Sequence, residues 1–258
     1  MAPRRGFLIT FSGRCGSTWL IRTLKSHREI HALGEVLGMP EEKTEIERSP
    51  AGQRRFVEEL YDPHRLADED RDPPIANGFK LQYTAQIGQF LDPVDARDAL
   101  APFDLVSIYL SRTDKFRQAI SKLRGDRLKS INNGRSNLRL NELSDEKQAF
   151  IDAAFDIDPE QLETHIRRII SADEAARDFA AGIGQASYAL TYEELLEDPL
   201  AKFNDILARL NVKPFDVAPE VTVKITKNDL ADVVSNLDQC VEHIASTDLR
   251  AYIPTELC

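Results

Sequence analysis

The chain has 258 residues, of which 42% are hydrophobic and 29% charged, with a formal net charge of −10. Such a composition is ordinary for an enzyme with a sizeable core, while so acidic a chain should repel nucleic acid and anionic membrane surfaces. No apolar run approaches the roughly 20 residues of a membrane span, so stable membrane insertion is not expected. The first apolar run, Gly6 to Phe11, is too short for a signal peptide, and a cytoplasmic location is expected. Cys15, Cys240 and Cys258 make neither a disulfide framework nor a zinc cluster, and the five histidines are scattered, so no metal is expected.

Gly6-Phe7-Leu8-Ile9-Thr10-Phe11 reads as a buried parallel strand. Ser12-Gly13-Arg14-Cys15-Gly16 supplies a loop, and Ser17 is placed to cap a helix with Trp19, Leu20, Thr23 and Leu24 on one face. Residues 40–74 are polar, with one helix expected around Gln53–Tyr61, and Gly78–Tyr83 is a second strand. Leu105–Leu110 is the clearest strand, after which Thr113 could cap a helix. There Phe116, Ala119, Ile120 and Leu123 fall at i, i+3, i+4 and i+7. Residues 125–145, rich in Asn, Gly and Ser, read as a long loop or lid. A helix is expected through Leu162, Ile166, Ile169 and Ile170, a strand over Ala186–Thr191 and a helix through Phe203, Ile206, Leu207 and Leu210. The stretch from Leu230 to Tyr252 is expected to form one more helix, with a loop on each side. Strands alternating with helices predict an α/β fold, a parallel sheet with helices on both faces.

Strand, glycine loop and helix start together make an anion site. Backbone N–H groups converge there and the helix N-terminus adds about half a positive charge. Arg14 adds a planar cationic fork, and Ser17 and Thr18 add hydroxyls. The loop lacks the G-x-x-x-x-G-K-[ST] of nucleoside-triphosphate sites, because only two residues separate Gly13 from Gly16 and no Lys precedes Ser17. Between Arg112 and Arg139 there are nine Lys/Arg and two acids, a local positive surplus that points to an anionic ligand or to a solvated helix face.

Thr10 to Leu20 resembles the 5′-phosphosulfate-binding loop of sulfotransferases, enzymes that use 3′-phosphoadenosine 5′-phosphosulfate (PAPS) and release PAP. The resemblance implies a P-loop-like sulfotransferase fold over 1–258 as a single domain. It makes Gly13, Arg14, Cys15, Gly16, Ser17, Thr18 and Trp19 the donor-binding loop, with Cys15 departing from the usual Ser. Ile108 to Ser121 is similar to the family's 3′-phosphate element, with Arg112 at the strand end and Ser121 nine residues on. Its Arg-x-Asp-[Lys/Arg]-x-x-Gln-Ala-x-Ser form is closest to bacterial trehalose 2-sulfotransferase and its relatives. Ala189 to Pro199 is a third match, in which Tyr192 would line the adenine pocket. Lys224 and Lys227 stand where relatives add 3′-phosphate contacts, and Asn236–Tyr252 faintly resembles the tail of carbohydrate sulfotransferases.

The implied reaction is metal-free, in-line transfer of a sulfuryl group to a hydroxyl of a carbohydrate, glycolipid or other small alcohol. Many relatives take the hydroxyl proton with a His in a Lys-Thr-His pattern; here that run is Lys80-Leu81-Gln82. Trehalose-type relatives use a Glu in a Gly-Glu context, which Gly34-Glu35 fits. Glu35 is therefore the expected base, Lys80 a sulfuryl contact, Arg14 a charge stabiliser, and His27 and His31 the fallback bases. The acceptor would be shaped by variable segments near 36–75 and 125–160, including the polar run Asn132–Asn141. Trehalose-type relatives form dimers, so the resemblance allows a homodimer. The competing readings are a P-loop-type small-molecule kinase and a non-catalytic nucleotide-binding module, the latter kept open by Gln82.

Overall fold

Five strands, β1 (Arg5–Phe11), β2 (Ile30–Leu33), β3 (Ala76–Gln82), β4 (Leu105–Ser111) and β5 (Ala186–Thr191), form one parallel sheet in the order β2-β3-β1-β4-β5. The computed structural model describes residues 5–38, 46–47, 49–62, 75–83, 93–134, 144–183, 186–216 and 229–257. The chain divides into two units, Met1–Ser111 with Ala172–Glu220, and Arg112–Ser171 with Val221–Cys258.

The first unit holds the sheet. Alternation along β1 sends Phe7, Ile9 and Phe11 to one face, where they join Val106, Ile108 and Leu110 of β4. That layer is closed by α1 (Ser17–Ser26), through Trp19, Leu20 and Leu24, and by α8 (Pro199–Arg209), through Phe203, Ile206 and Leu207. Leu8 points the other way and packs with Phe79 and Leu81 of β3. There it meets α2 (Pro50–Tyr61), α3 (Pro93–Leu100) and the end of α6 (Pro159–Ala181). Each such fully buried aliphatic or aromatic side chain is worth about 1.5–3 kcal/mol relative to exposure. The expected parallel sheet with helices on both faces is present.

Phe7 of β1 lies opposite Gly78 of β3. A Cβ on Gly78 would stand 2.1 Å from the Phe7 carbonyl oxygen, so only glycine fits this strand seam. The Tyr61 hydroxyl donates to the same carbonyl at 2.8 Å, and burial pushes that phenol well above its ordinary pKa.

In the second unit the expected stripe Phe116, Ala119, Ile120 and Leu123 is buried on α4 (Lys115–Leu128), against Leu162, Ile166 and Ile169 of α6. Three expectations are corrected. Asp114, not Thr113, caps α4, accepting from the Arg117 amide at 2.8 Å. The loop expected from residue 125 begins later, because buried Arg124 and Leu128 carry α4 to its end and α5 (Asp145–Asp152) follows. The last helix is shorter, α9 (Leu237–Ala245), because Asn236 pairs with the backbone of Ile157 through both its amide atoms.

Candidate functional site

Three of the four residues Gly13 to Gly16 have left-handed backbone: Gly13 (φ 82), Arg14 (φ 57) and Gly16 (φ 85). A non-glycine residue there is uncommon and is held by its surroundings. Gly16 is the N-cap of α1 and makes no side-chain cap, which corrects the expectation that Ser17 caps this helix. Ser17 is instead the first helical residue. No acidic residue stands in the first turn, and Lys25 lies in the last, so the helix field toward the loop is unopposed from within α1.

Register then brings β3 to the loop. Ile9 pairs with Lys80 and Phe11 with Gln82. The Lys80 side chain is only 6% exposed; its Nζ lies 2.8 Å from Glu35 Oε1, 3.3 Å from Thr18 Oγ1 and 3.4 Å from Ser17 Oγ. It also sits 5.1 Å from the centre of the Phe11 ring. Glu35 follows β2 in a loop and keeps 40% of its side chain exposed. Gln82 comes close to the loop too, since a Cβ on Gly13 would lie 3.0 Å from its Nε2.

Tyr192 opens α7 (Tyr192–Glu197), where Thr191 and Glu194 cap each other reciprocally in the T-x-x-E pattern. Its ring packs so closely on Gly16 that a Cβ there would meet Cδ2 at 2.6 Å. The structure therefore brings Arg14, Ser17, Thr18, Glu35, Lys80, Gln82 and Tyr192 around one loop. Cys15 and Trp19 belong to the core beneath it. Trp19 packs edge-on against Phe203 at 5.7 Å. Burial pushes the Cys15 thiol up to about 12, so at neutral pH it stays protonated and is no nucleophile.

Asp173 had no signal in the sequence. It stands on α6 among other polar residues, 161 positions from Ser12, yet Ser12 Oγ donates to its Oδ1 at 2.9 Å and the Tyr109 hydroxyl to its carbonyl at 3.2 Å. Burial first, and then the Asp173 charge, push the Tyr109 phenol upward. This buried carboxylate ties α6 to the start of the anion loop. Asp173→Ala removes the acceptor for Ser12 and is expected to cost about 1–3 kcal/mol, read as a lower denaturant midpoint at unchanged slope. Asp173→Asn, which can accept the same bond, should cost less.

The 3′-phosphate candidates lie in the second unit. Arg112 follows β4 directly and is half-buried; Ser121 is 7% exposed on the inner side of α4, so it is not a solvated helix serine. Much of the positive surplus around them is already used. Arg117 pairs with Asp114 and Glu256, Lys122 and Lys129 with Asp126, and Arg127 donates to the Asp156 carbonyl. Arg124, almost fully buried, donates to the carbonyls of Phe150, Ile151 and Ala153. Charge counting alone thus overstated the ligand field. His27 packs edge-on against Phe215 and its Nδ1 accepts from the Glu29 amide. His31 is half-buried on β2, where burial and then Lys25 disfavour its charged form. Lys224, Lys227, residues 84–92 and most of Asn132–Asn141 lie outside the described residues.

Among the described residues no cluster of His, Cys, Asp or Glu is arranged to hold a metal ion, and no helix is long and apolar enough to cross a membrane. A family model described as Stf0 sulphotransferase matches residues 84–238. The crystal structure of a sulfotransferase from Alicyclobacillus acidocaldarius is similar at 16% identity and a TM-score of 0.48, over 96% of this chain and 98% of that one. No curated protein matches the chain.

Proposed function

The chain belongs to the Stf0 sulphotransferase family, and on that premise we propose that it transfers a sulfuryl group from PAPS to a hydroxyl of a carbohydrate, glycolipid or other small alcohol. The observation that carries this reading is the buried Lys80 ammonium, held against the Ser17 and Thr18 hydroxyls at the N-terminus of α1 beside a left-handed loop. That donor set, all N–H and O–H groups plus two cations, suits a phosphosulfate.

Bound PAPS supplies an activated sulfuryl group on a phosphate leaving oxygen. Glu35 takes the proton of the acceptor hydroxyl as the acceptor oxygen bonds to sulfur. The bond from sulfur to the phosphate oxygen breaks with its electron pair. Arg14 and the amides of Gly16 to Thr18 hold the charge that arrives on that oxygen, and Lys80 holds the sulfuryl oxygens. Arg112 and Ser121 bind the 3′-phosphate, and Tyr192, packed on Gly16, borders the adenine. No metal takes part, and the protein works in the cytoplasm.

Thermal unfolding with PAP and with ADP tests the donor assignment. A ligand at 100 times its Kd adds about 2.7 kcal/mol to the folded state. That should raise Tm by about 5–10 °C in a chain of this size. A rise with PAP well above that with ADP is expected, because only PAP carries the 3′-phosphate. A rise with ATP and Mg²⁺ but none with PAP would overturn the reading in favour of phosphoryl transfer. Gln82 beside Gly13, where relatives carry a His, supports one second reading: a PAP-binding module without turnover, which an acceptor screen with PAPS separates from the first.

A further inference from the structure

We propose that Glu35 and the sulfuryl group of the donor are rival partners for the Lys80 ammonium, so that loading the donor is what frees Glu35 to act as base. The inference rests on the sulfotransferase reading above and concerns how its two halves are coupled.

An ammonium has three N–H donors and no acceptor. Among the described residues three oxygens stand around Lys80 Nζ, those of Glu35 at 2.8 Å, Thr18 at 3.3 Å and Ser17 at 3.4 Å, with the Phe11 ring 5.1 Å away. At 6% exposure, Lys80 has almost no water to draw further partners from. A sulfuryl oxygen can reach this ammonium only by taking the place of an oxygen already there.

The three incumbents are not equally replaceable. Ser17 and Thr18 are fixed on the first turn of α1, and Ser17 is buried. Glu35 is on a loop and 40% exposed. Beside it, a Cβ built on Gly34 meets no atom of the described residues within 4 Å. The carboxylate therefore has both water and room to move into, and it is the partner that yields. It is also the one whose negative charge would sit against the incoming anion.

The exchange has a consequence for the order of events. A carboxylate oxygen that accepts from Lys80 is engaged away from an acceptor hydroxyl. Once sulfuryl oxygens hold Lys80, the Glu35 carboxylate is released next to the group being transferred.

The test is calorimetric binding of PAPS and of PAP, without any acceptor, to the wild type and to Glu35→Gln, with Glu35→Ala as the second variant should the first fold poorly. PAP lacks the sulfuryl group and does not compete for Lys80. The exchange predicts that both variants bind PAPS about five- to tenfold more tightly, equivalent to about 1–1.4 kcal/mol. PAP should bind within about twofold of wild type, a difference small beside the tenfold that 1.4 kcal/mol represents. Unchanged or weaker PAPS binding in the variants overturns the proposal. So does an equal gain for PAPS and PAP, which would mean that Glu35 merely repels any nucleotide. A wild type that binds neither ligand overturns the donor reading itself, and the exchange with it.

Discussion

Lys80→Met is expected to lower sulfuryl transfer by about a hundred- to a thousandfold, the cost of removing one preorganised donor aimed at developing charge. The substitution keeps an unbranched chain of similar length, so what is lost is the ammonium, together with its place 5.1 Å from the centre of the Phe11 ring. Because Lys80 is buried between β1 and α1, no neighbouring water can replace it. Its loss should also weaken PAPS binding while leaving PAP binding nearly intact, which separates it from a simple folding defect. PAP release with the best alcohol from an acceptor screen, alongside far-UV circular dichroism, is the measurement. A variant that folds and turns over within tenfold of wild type would remove Lys80 from the proposed mechanism.

The parts of the molecule written in local periodicity were legible from the sequence. The opening strand, loop and helix, the stripe Phe116-Ala119-Ile120-Leu123 and the set Phe203-Ile206-Leu207-Leu210 each announce one face, and each of those residues is buried. The expected strand at Gly78–Tyr83 is β3, starting two residues earlier. Short elements were not legible. β2 has four residues, Ile-His-Ala-Leu, too few to establish alternation, and it follows α1 after only three residues. The helices α3, α5 and α7 run eight, eight and six residues and show little pattern.

At the site, the resemblance picked out Arg14, Glu35, Lys80 and Tyr192 one at a time. What joins them is register and close approach, which a linear reading lacks. Lys80 meets Ser17 and Thr18 because Ile9 pairs with it across β1 and β3. Tyr192 meets Gly16 because the capping box of Thr191 and Glu194 turns the chain at the end of β5. Asp173 is the residue with no linear signal, a buried acid in the middle of a 23-residue helix whose partner, Ser12, is 161 positions away.

The same register makes a glycine far from the loop decisive. Gly78→Ala would place a methyl group 2.1 Å from the Phe7 carbonyl oxygen and 2.6 Å from Cγ of the Phe7 ring. Neither can step aside: Phe7 is fully buried, and its carbonyl already accepts from Tyr61. The strands must part instead. Overpacking of this kind, against backbone as well as a ring, is expected to cost at least about 3 kcal/mol. In a chain of this length that lowers Tm by about 6–12 °C. Lys80 is two residues further along β3, so the displacement should be carried to its ammonium, and the preference for PAPS over PAP should fall along with Tm. Calorimetric unfolding and the paired ligand titrations read the two effects on one sample. A variant melting within about 2 °C of wild type, no more than the shift that about 1 kcal/mol gives a chain of this length, would mean that the β1–β3 seam yields to a methyl group. The fixed position of Lys80 would then have to come from its contacts with Glu35, Ser17 and Thr18 alone.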